Sequence, residues 1–575
     1  MNRTRIITKV SDMENPLIKT LKHVLERSAA AFPDRHALTF VNDIPLTYSE
    51  LKKEVEDLSH VLHARGIVAG DRVAILGENM PNWGVAYFAV TTMGAVVVPI
   101  LPEFHPNEIH HILRHSGCKA LFVSEKLFDK LKDAECKECR TMVLLNNFHL
   151  IQPETTKEKV REFVESGRKK WSRMKETALR LARRTPKEVR EEDLASIIYT
   201  SGTTGHSKGV MLTHRNIVAN ALATLETQEV TEKDRLLSLL PLSHAYECTL
   251  GLVIPVTQGA CVYYLSKPPT PSVLLPALAE VKPTMILAVP LIIEKIVKQK
   301  IFPRFTRKAL VRGLYRLTPI RKTLHQIAGK KLYATFGGQL RFFGIGGAPL
   351  SAEVELFLRE ARFPYAIGYG LTETSPLISG SAPAQTRYRS AGKPLSNAEV
   401  RVQNPDPKTG EGEIWTRGEC VMKGYFNDPG RTAEALTGDG WFKTGDLGVL
   451  DRDGYLFIRG RLKNVILGPS GENIYPEEIE NVLNASDLVL ESLVYQDQGQ
   501  IAARVHLNYE MLDREAEKHH WTETRIQEQI DSLLEKIRLS VNEKVSSFSR
   551  INRIIEQPEP FEKTPTQKIK RYLYA

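Results

Sequence analysis

The chain has 575 residues, well past the length at which a single hydrophobic core stops growing, so two or more domains are expected. Its 42% hydrophobic and 25% charged content, without repeats or low-complexity tracts, excludes disordered, fibrous and solenoid classes. The net charge of +10 is mild for this length, and nucleic-acid binding is not expected. Six cysteines (Cys118, Cys136, Cys139, Cys248, Cys261 and Cys420) are too scattered for a disulfide framework and fit a reducing cytoplasm. Cys136 and Cys139 form a C-x-x-C, but no second Cys/His pair stands at zinc spacing.

Along the chain, the first residues carry no apolar core of a secretory signal. Helical patterns then alternate with the apolar runs ALTFV, RVAILG, AVVVPI, KALFVS, TMVLLN, LASIIYT, RLLSLLP, ACVYYL, TMILAVP and LRFFGIG. This rhythm predicts an α/β body, mixed sheets covered by helices, in which ligands bind beside strand C-termini. Two charge-free stretches, Asn79 to Pro102 and Cys248 to Ser266, are long enough to span a bilayer. Internal Pro and Gly break both, so each is expected to be a buried helix followed by a buried strand.

Two segments are strongly basic. RKKWSRMKETALRLARR places Trp171, Met174, Ala178 and Leu181 at helical spacing, and residues 295–332 belong to a stretch without Asp or Glu from Lys295 to Ala352. Interleaved cations and apolar residues make segment 295–332 a candidate for peripheral membrane contact; a solvated helix face is the alternative. After DRDGYLFIRGRLKNVILGPSG the texture changes. A helix opened by Pro476, strands in LESLVYQ and AARVHLN, and an amphipathic helix with Ile526, Ile530, Leu533, Ile537 and Val541 on one face predict a small α+β domain over 462–575, after a large domain over 1–461.

The most informative segment is Tyr199-Thr200-Ser201-Gly202-Thr203-Thr204-Gly205-His206-Ser207-Lys208-Gly209, directly after LASII. Glycine-freed amides, hydroxyls and one cation are what a polyphosphate requires, although the Walker spacing is not met. Further along stand His244 in PLSHAYE, Gly346-Gly347-Ala348-Pro349-Leu350, Gly368-Tyr369-Gly370-Leu371-Thr372-Glu373, Trp441 to Asp446 as WFKTGD, Gly460-Arg461-Leu462-Lys463, and Lys568 in KTPTQKIKR. Together, and in this order, these motifs resemble the adenylate-forming, AMP-binding superfamily of acyl-CoA synthetases, luciferases and peptide-synthetase adenylation domains. PLSHAYE, VPLIIEKIVKQKI and the ending FEKTPTQKIKR are most similar to the bacterial long-chain fatty acyl-CoA synthetases.

The resemblance implies a large N-terminal domain, a small mobile C-terminal domain, and ATP, Mg²⁺ and coenzyme A as cofactors. Thr200 to Lys208 would hold phosphates, and Gly346, Gly347, Ala348, Pro349, Gly368, Tyr369, Gly370 and Thr372 the adenine side. Glu373 and Thr200 would ligate magnesium, Asp446 and Arg461 would hold the ribose, and His244 would lie beside the substrate carboxylate. Lys568 would be the catalytic cation of adenylation, Lys463 the hinge between domains, and Gly471 part of the coenzyme A channel. Ser207 replaces a usual proline and Gln567 a usual glycine; neither removes a functional group. The implied reaction adenylates a fatty acid and passes the acyl group to coenzyme A; transfer to an acyl-carrier protein is the alternative.

Overall fold

The computed structural model describes residues 19–132, 139–152, 155–165, 188–200, 207–306, 309–467, 473–486, 488–513, 523–564 and 568–575. All ten apolar runs form strands, from His36–Phe40 and Arg72–Leu76 through Met285–Ala288 and Phe342–Ile345. They are sorted into two large sheets. One has eight strands in the order Gly424–Tyr425, Lys208–Thr213, Leu194–Thr200, Val96–Ile100, Arg72–Leu76, Ala120–Val123, Thr141–Leu144, Leu150–Ile151. The other has seven, in the order Tyr365–Ile367, Phe342–Ile345, Met285–Ala288, Arg235–Ser238, Cys261–Tyr264, His36–Phe40, Leu46–Thr47.

Strand pairing is mainly parallel in both sheets, which explains why the strands read as unbroken apolar runs: both faces are covered. The first charge-free stretch folds as the helix Pro81–Thr92, buried without a break from Trp83 to Thr91, followed by the strand Val96–Ile100. The second forms helical turns over Glu247–Val253 and Ile254–Gln258, then the strand Cys261–Tyr264. Among the described residues no helix is long and apolar enough to cross a membrane. Local chemistry sets the helix ends. Tyr48–Ala64 starts on a capping box of Thr47 with Glu50, and Pro106–Ser116 stops at Gly117, whose φ of 59° is the left-handed conformation a C-terminal glycine adopts readily.

A four-stranded antiparallel sheet, ending in Phe442–Leu450 and Leu456–Arg461, leads to the short turn Leu462–Asn464. Beyond it, Ile466, Ile474, Ile479, Leu483, Val494, Val505 and Ile537 join a hydrophobic core whose described members run from Ile466 to Ile554. The helix Glu523–Asn542 buries Ile530, Leu534, Ile537 and Val541. Half-buried Leu533 packs against the same core, and Leu534 adds a further buried residue to the expected stripe. Cys248, Cys261 and Cys420 are buried free thiols. Cys136, the side chain of Ile526 and the basic segment from Arg168 to Arg184 lie outside the described residues.

Candidate active site

The strands Leu194–Thr200 and Lys208–Thr213 form an antiparallel hairpin in which Thr200 stands opposite Lys208. Directly opposed residues share a face, so the threonine hydroxyl and the lysine project to the same side. The intervening Ser201, Gly202, Thr203, Thr204 and Gly205 lie outside the described residues. On that side the Lys208 Nζ is 2.7 Å from Glu373 Oε1 and 2.7 Å from the Tyr425 hydroxyl, which itself donates to Glu373 Oε1 at 2.9 Å. Glu373 is buried in the short turn Thr372–Thr374. Burial opposes its ionisation, but the Lys208 charge and the hydrogen bonds it accepts prevail and hold the carboxyl below its ordinary range.

Thr200 Oγ1 is buried and has no hydrogen-bond partner among the described residues. A buried orphan hydroxyl beside an ionised carboxylate and a lysine fits the protein half of a magnesium–phosphate site, since Mg²⁺ usually takes one or two protein oxygens and completes its shell with phosphates and water. No cluster of three His, Cys, Asp or Glu that could hold a metal by itself occurs among the described residues.

The neighbouring parallel strands Phe342–Ile345 and Tyr365–Ile367 deliver two glycine-rich turns to one crevice at their C-terminal ends. Gly347 has a φ of 84°, and with Ala348 and Pro349 it forms an exposed lip beyond buried Gly346. A Cβ on Gly370 would come within 1.9 Å of the Pro376 carbonyl oxygen, so that position requires glycine, while one on Gly346 would crowd the Tyr246 ring at 3.3 Å. Gly368 precedes Tyr369, whose hydroxyl donates to Asp446 Oδ2 at 2.7 Å, while Arg461 Nε holds Asp446 Oδ1 at 2.8 Å. Burial raises the Asp446 carboxyl pKa, with Arg461 and the Tyr369 hydrogen bond opposing.

Lys568 reaches this crevice from the end of the chain. Its charge is felt by His244 and Asp446, and it in turn feels Arg461, Asp446 and Glu373. The residue remains solvent-accessible, yet surrounding protein desolvates the ammonium and, with Arg461, pushes its pKa down against the two carboxylates. His244 accepts the Tyr246 backbone N–H on Nδ1 at 3.2 Å, and burial followed by Lys568 lowers its pKa to about 4, so the imidazole is neutral.

The structure thus gathers Thr200, Lys208, Glu373, Tyr369, Asp446, Arg461, His244 and Lys568 around one cleft, whereas Gly471 lies outside the described residues. Sequence reasoning missed Tyr425, which bridges Lys208 and Glu373 because Gly424–Tyr425 pairs with the strand that follows the phosphate loop. It also missed Asn79. This side chain donates to Ser238 and Leu240, accepts from the Leu242 N–H, and so fixes the loop that ends in His244. No local spacing signals either contact.

Two large sheets covered by helices define an α/β protein, with Lys208, Glu373 and the orphan Thr200 hydroxyl gathered on one side of a strand hairpin. Residues 25–426 match the AMP-binding enzyme family, and the chain belongs to that family. It is 30% identical to the long-chain-fatty-acid–CoA ligase FadD15 of Mycobacterium bovis, over 92% of this chain and 90% of that protein. It is 29% identical to the putative acyl-CoA synthetase YngI of Bacillus subtilis, over 82% and 84% of the two chains. Its fold matches the O-succinylbenzoate coenzyme A synthetase of Bacillus subtilis in complex with AMP, with a TM-score of 0.72, 23% identity, and coverage of 96% of this chain and 97% of that one.

Proposed function

We propose that the protein is an ATP-dependent long-chain fatty acid:CoA ligase. The observation that carries this reading is the convergence of Lys568 with Asp446, Arg461, Glu373 and His244, because adenylation needs a cation where a carboxylate meets a phosphate. The substrate class rests on the curated relatives, whose names specify long-chain fatty acids.

In the first half-reaction a carboxylate oxygen of the fatty acid attacks the α-phosphorus of ATP. The new O–P bond forms as the bond to pyrophosphate breaks. Lys208 and the loop before it hold the phosphates; Thr200 and Glu373 would hold magnesium, which would supply positive charge to offset that of the phosphates. Gly346 to Pro349 and Tyr369 frame the adenine, and Asp446 accepts the ribose hydroxyls while Arg461 orients its carboxylate. Neutral His244 places the acid without adding charge. Lys568 stabilises the negative charge shared between acyl oxygen and α-phosphate.

In the second half-reaction the coenzyme A thiol attacks the acyl carbonyl, forming C–S and releasing AMP. For this step the domain over 462–575 turns about Lys463 relative to the domain over 1–461, withdrawing Lys568 and opening a channel at Gly471. Lys463 stands in the one-turn connection Leu462–Asn464, where a proline would fix φ. Lys463→Pro is therefore expected to slow thioester formation more than pyrophosphate release. Equal rates for both steps in that variant would remove the hinge.

The basic segment 295–332 serves, in this reading, as a peripheral contact with anionic membrane on the cytoplasmic side. Its short helix Ala309–Tyr315 buries no side chain, and Leu310 and Leu317 are 77% and 54% exposed beside Arg312 and Arg316. Exchange of labelled pyrophosphate into ATP, dependent on added fatty acid, tests the adenylation step. Its absence with every acid would defeat the proposal.

A further inference from the structure

The catalytic cation sits on a short hairpin. Thr564 and Lys568 exchange hydrogen bonds at 2.7 and 3.2 Å, and Lys563 pairs antiparallel with Ile569. Both arms are strapped to the small domain. Lys563 binds Glu491, and the ring of buried Phe561 meets that of Tyr574 edge-on at 5.0 Å. The strongest strap follows Lys568 by three residues: Arg571 Nη2 reaches both oxygens of Glu480 at 2.5 Å, and Nη1 donates to the Val494 carbonyl at 3.0 Å. Glu480 also accepts the Val494 N–H at 2.7 Å, and its carboxylate is mostly buried. This two-nitrogen fork, Nη2 on the carboxylate and Nη1 on the backbone carbonyl, fixes direction as well as distance, which a single lysine contact does not.

The helix Pro476–Leu483 that carries Glu480 also carries Glu477 on the same face. Glu477 Oε1 accepts Asn464 Nδ2 at 2.6 Å, next to Lys463, and Glu477 Oε2 would lie only 3.0 Å from a Cβ on Gly460. Arg571 approaches Glu477 as well, at 3.9 Å. One rigid helix therefore touches the interdomain connection through Glu477 and the tail of the catalytic lysine through Glu480.

We infer that Arg571 is the positioning residue for Lys568, and that the Glu477–Glu480 face of this helix sets the lysine tail in register with the interdomain connection. The inference rests on the proposed adenylation role of Lys568. Arg571 itself touches no substrate; it determines where the ammonium stands. Since misplacement by about 1 Å costs on the order of 100-fold in rate, loss of the fork should be felt in adenylation alone.

The test separates the half-reactions in the full-length protein. Single-turnover formation of acyl-adenylate is measured from MgATP and fatty acid, and thioester formation from synthetic acyl-adenylate and coenzyme A. Arg571→Lys keeps the cation and loses the fork; the double change E480M/R571M replaces both partners by apolar side chains, which folds tolerate better than one orphaned charge. Both variants should form acyl-adenylate about 100-fold more slowly, while thioester formation stays within about twofold and Tm of the double variant stays near that of the parent. In a Lys568→Ala background, Arg571→Lys should produce no further loss. Equal losses in both half-reactions, unchanged adenylation, or a full further loss without Lys568 would each overturn the inference. A parent protein that makes no acyl-adenylate from any acid would overturn it together with the functional reading.

Discussion

The ammonium of Lys208 lies 2.7 Å from the carboxylate of Glu373, joining the strand after the phosphate loop to a turn 165 residues further along the chain. Each group neutralises the other, so neither charge stands buried alone. Glu373→Gln should keep the Tyr425 contact but lose the anionic ligand, lowering adenylation by about 100- to 1,000-fold. Titration of activity against magnesium concentration checks this: the variant should need far more magnesium. Because the folded-state pKa of Glu373 is depressed, the stability it contributes is present above the ordinary carboxylate range and is lost only as pH falls through the lower folded value. Between pH 6 and 8 the pair should leave stability flat.

His244 acts with the same sign but in a higher pH window. Its folded pKa is lowered to about 4, chiefly by burial, whereas an unfolded imidazole takes a proton near 6.5. The unfolded state then binds more protons between these values, so stability falls as pH drops from about 6.5 towards 4. Urea denaturation at pH 5 and at pH 7.5 should show a smaller pH difference in His244→Gln than in the parent. The same variant should raise KM for the fatty acid more than KM for ATP.

Asp446 is 7% exposed, against 44% for its partner Arg461. The arginine face of this pair resembles a surface bridge, but Arg461→Ala would strand a buried carboxylate, a change that typically costs about 3 to 5 kcal/mol when burial is complete and less at this half-open site. Calorimetric binding of ATP should weaken by at least tenfold in Arg461→Ala. Tyr369→Phe, which removes one neutral hydrogen-bond donor at 2.7 Å, should weaken it less.

Much of this site was legible because its residues stand in order within short motifs. The strands were legible too, since burial on both sheet faces leaves runs such as LASIIYT without charges. What the sequence hid are partnerships set by packing. Tyr425 reaches Lys208 across a strand pair, Asn79 holds a loop 160 residues away, and Arg571 finds Glu480 only after the tail folds back. Leu534, absent from the sequence-derived stripe, also faces the core of the small domain beside half-buried Leu533.

The exposed apolar and basic face of the Ala309–Tyr315 helix gives a separable expectation. Leu310→Asp with Arg312→Glu should weaken sedimentation with anionic vesicles at low salt by severalfold and leave acyl-adenylate formation in detergent unchanged. Parent protein that fails to sediment with such vesicles would remove the membrane contact.

The most direct measurement incubates the protein with MgATP, coenzyme A and acids from acetate to oleate, following AMP and acyl thioester by mass spectrometry. The account predicts AMP in step with long-chain acyl-CoA, at rates rising from acetate to the long-chain acids. AMP and acyl-adenylate without acyl-CoA would instead indicate transfer to a carrier protein, and no AMP with any acid would contradict the adenylating role assigned to the cleft.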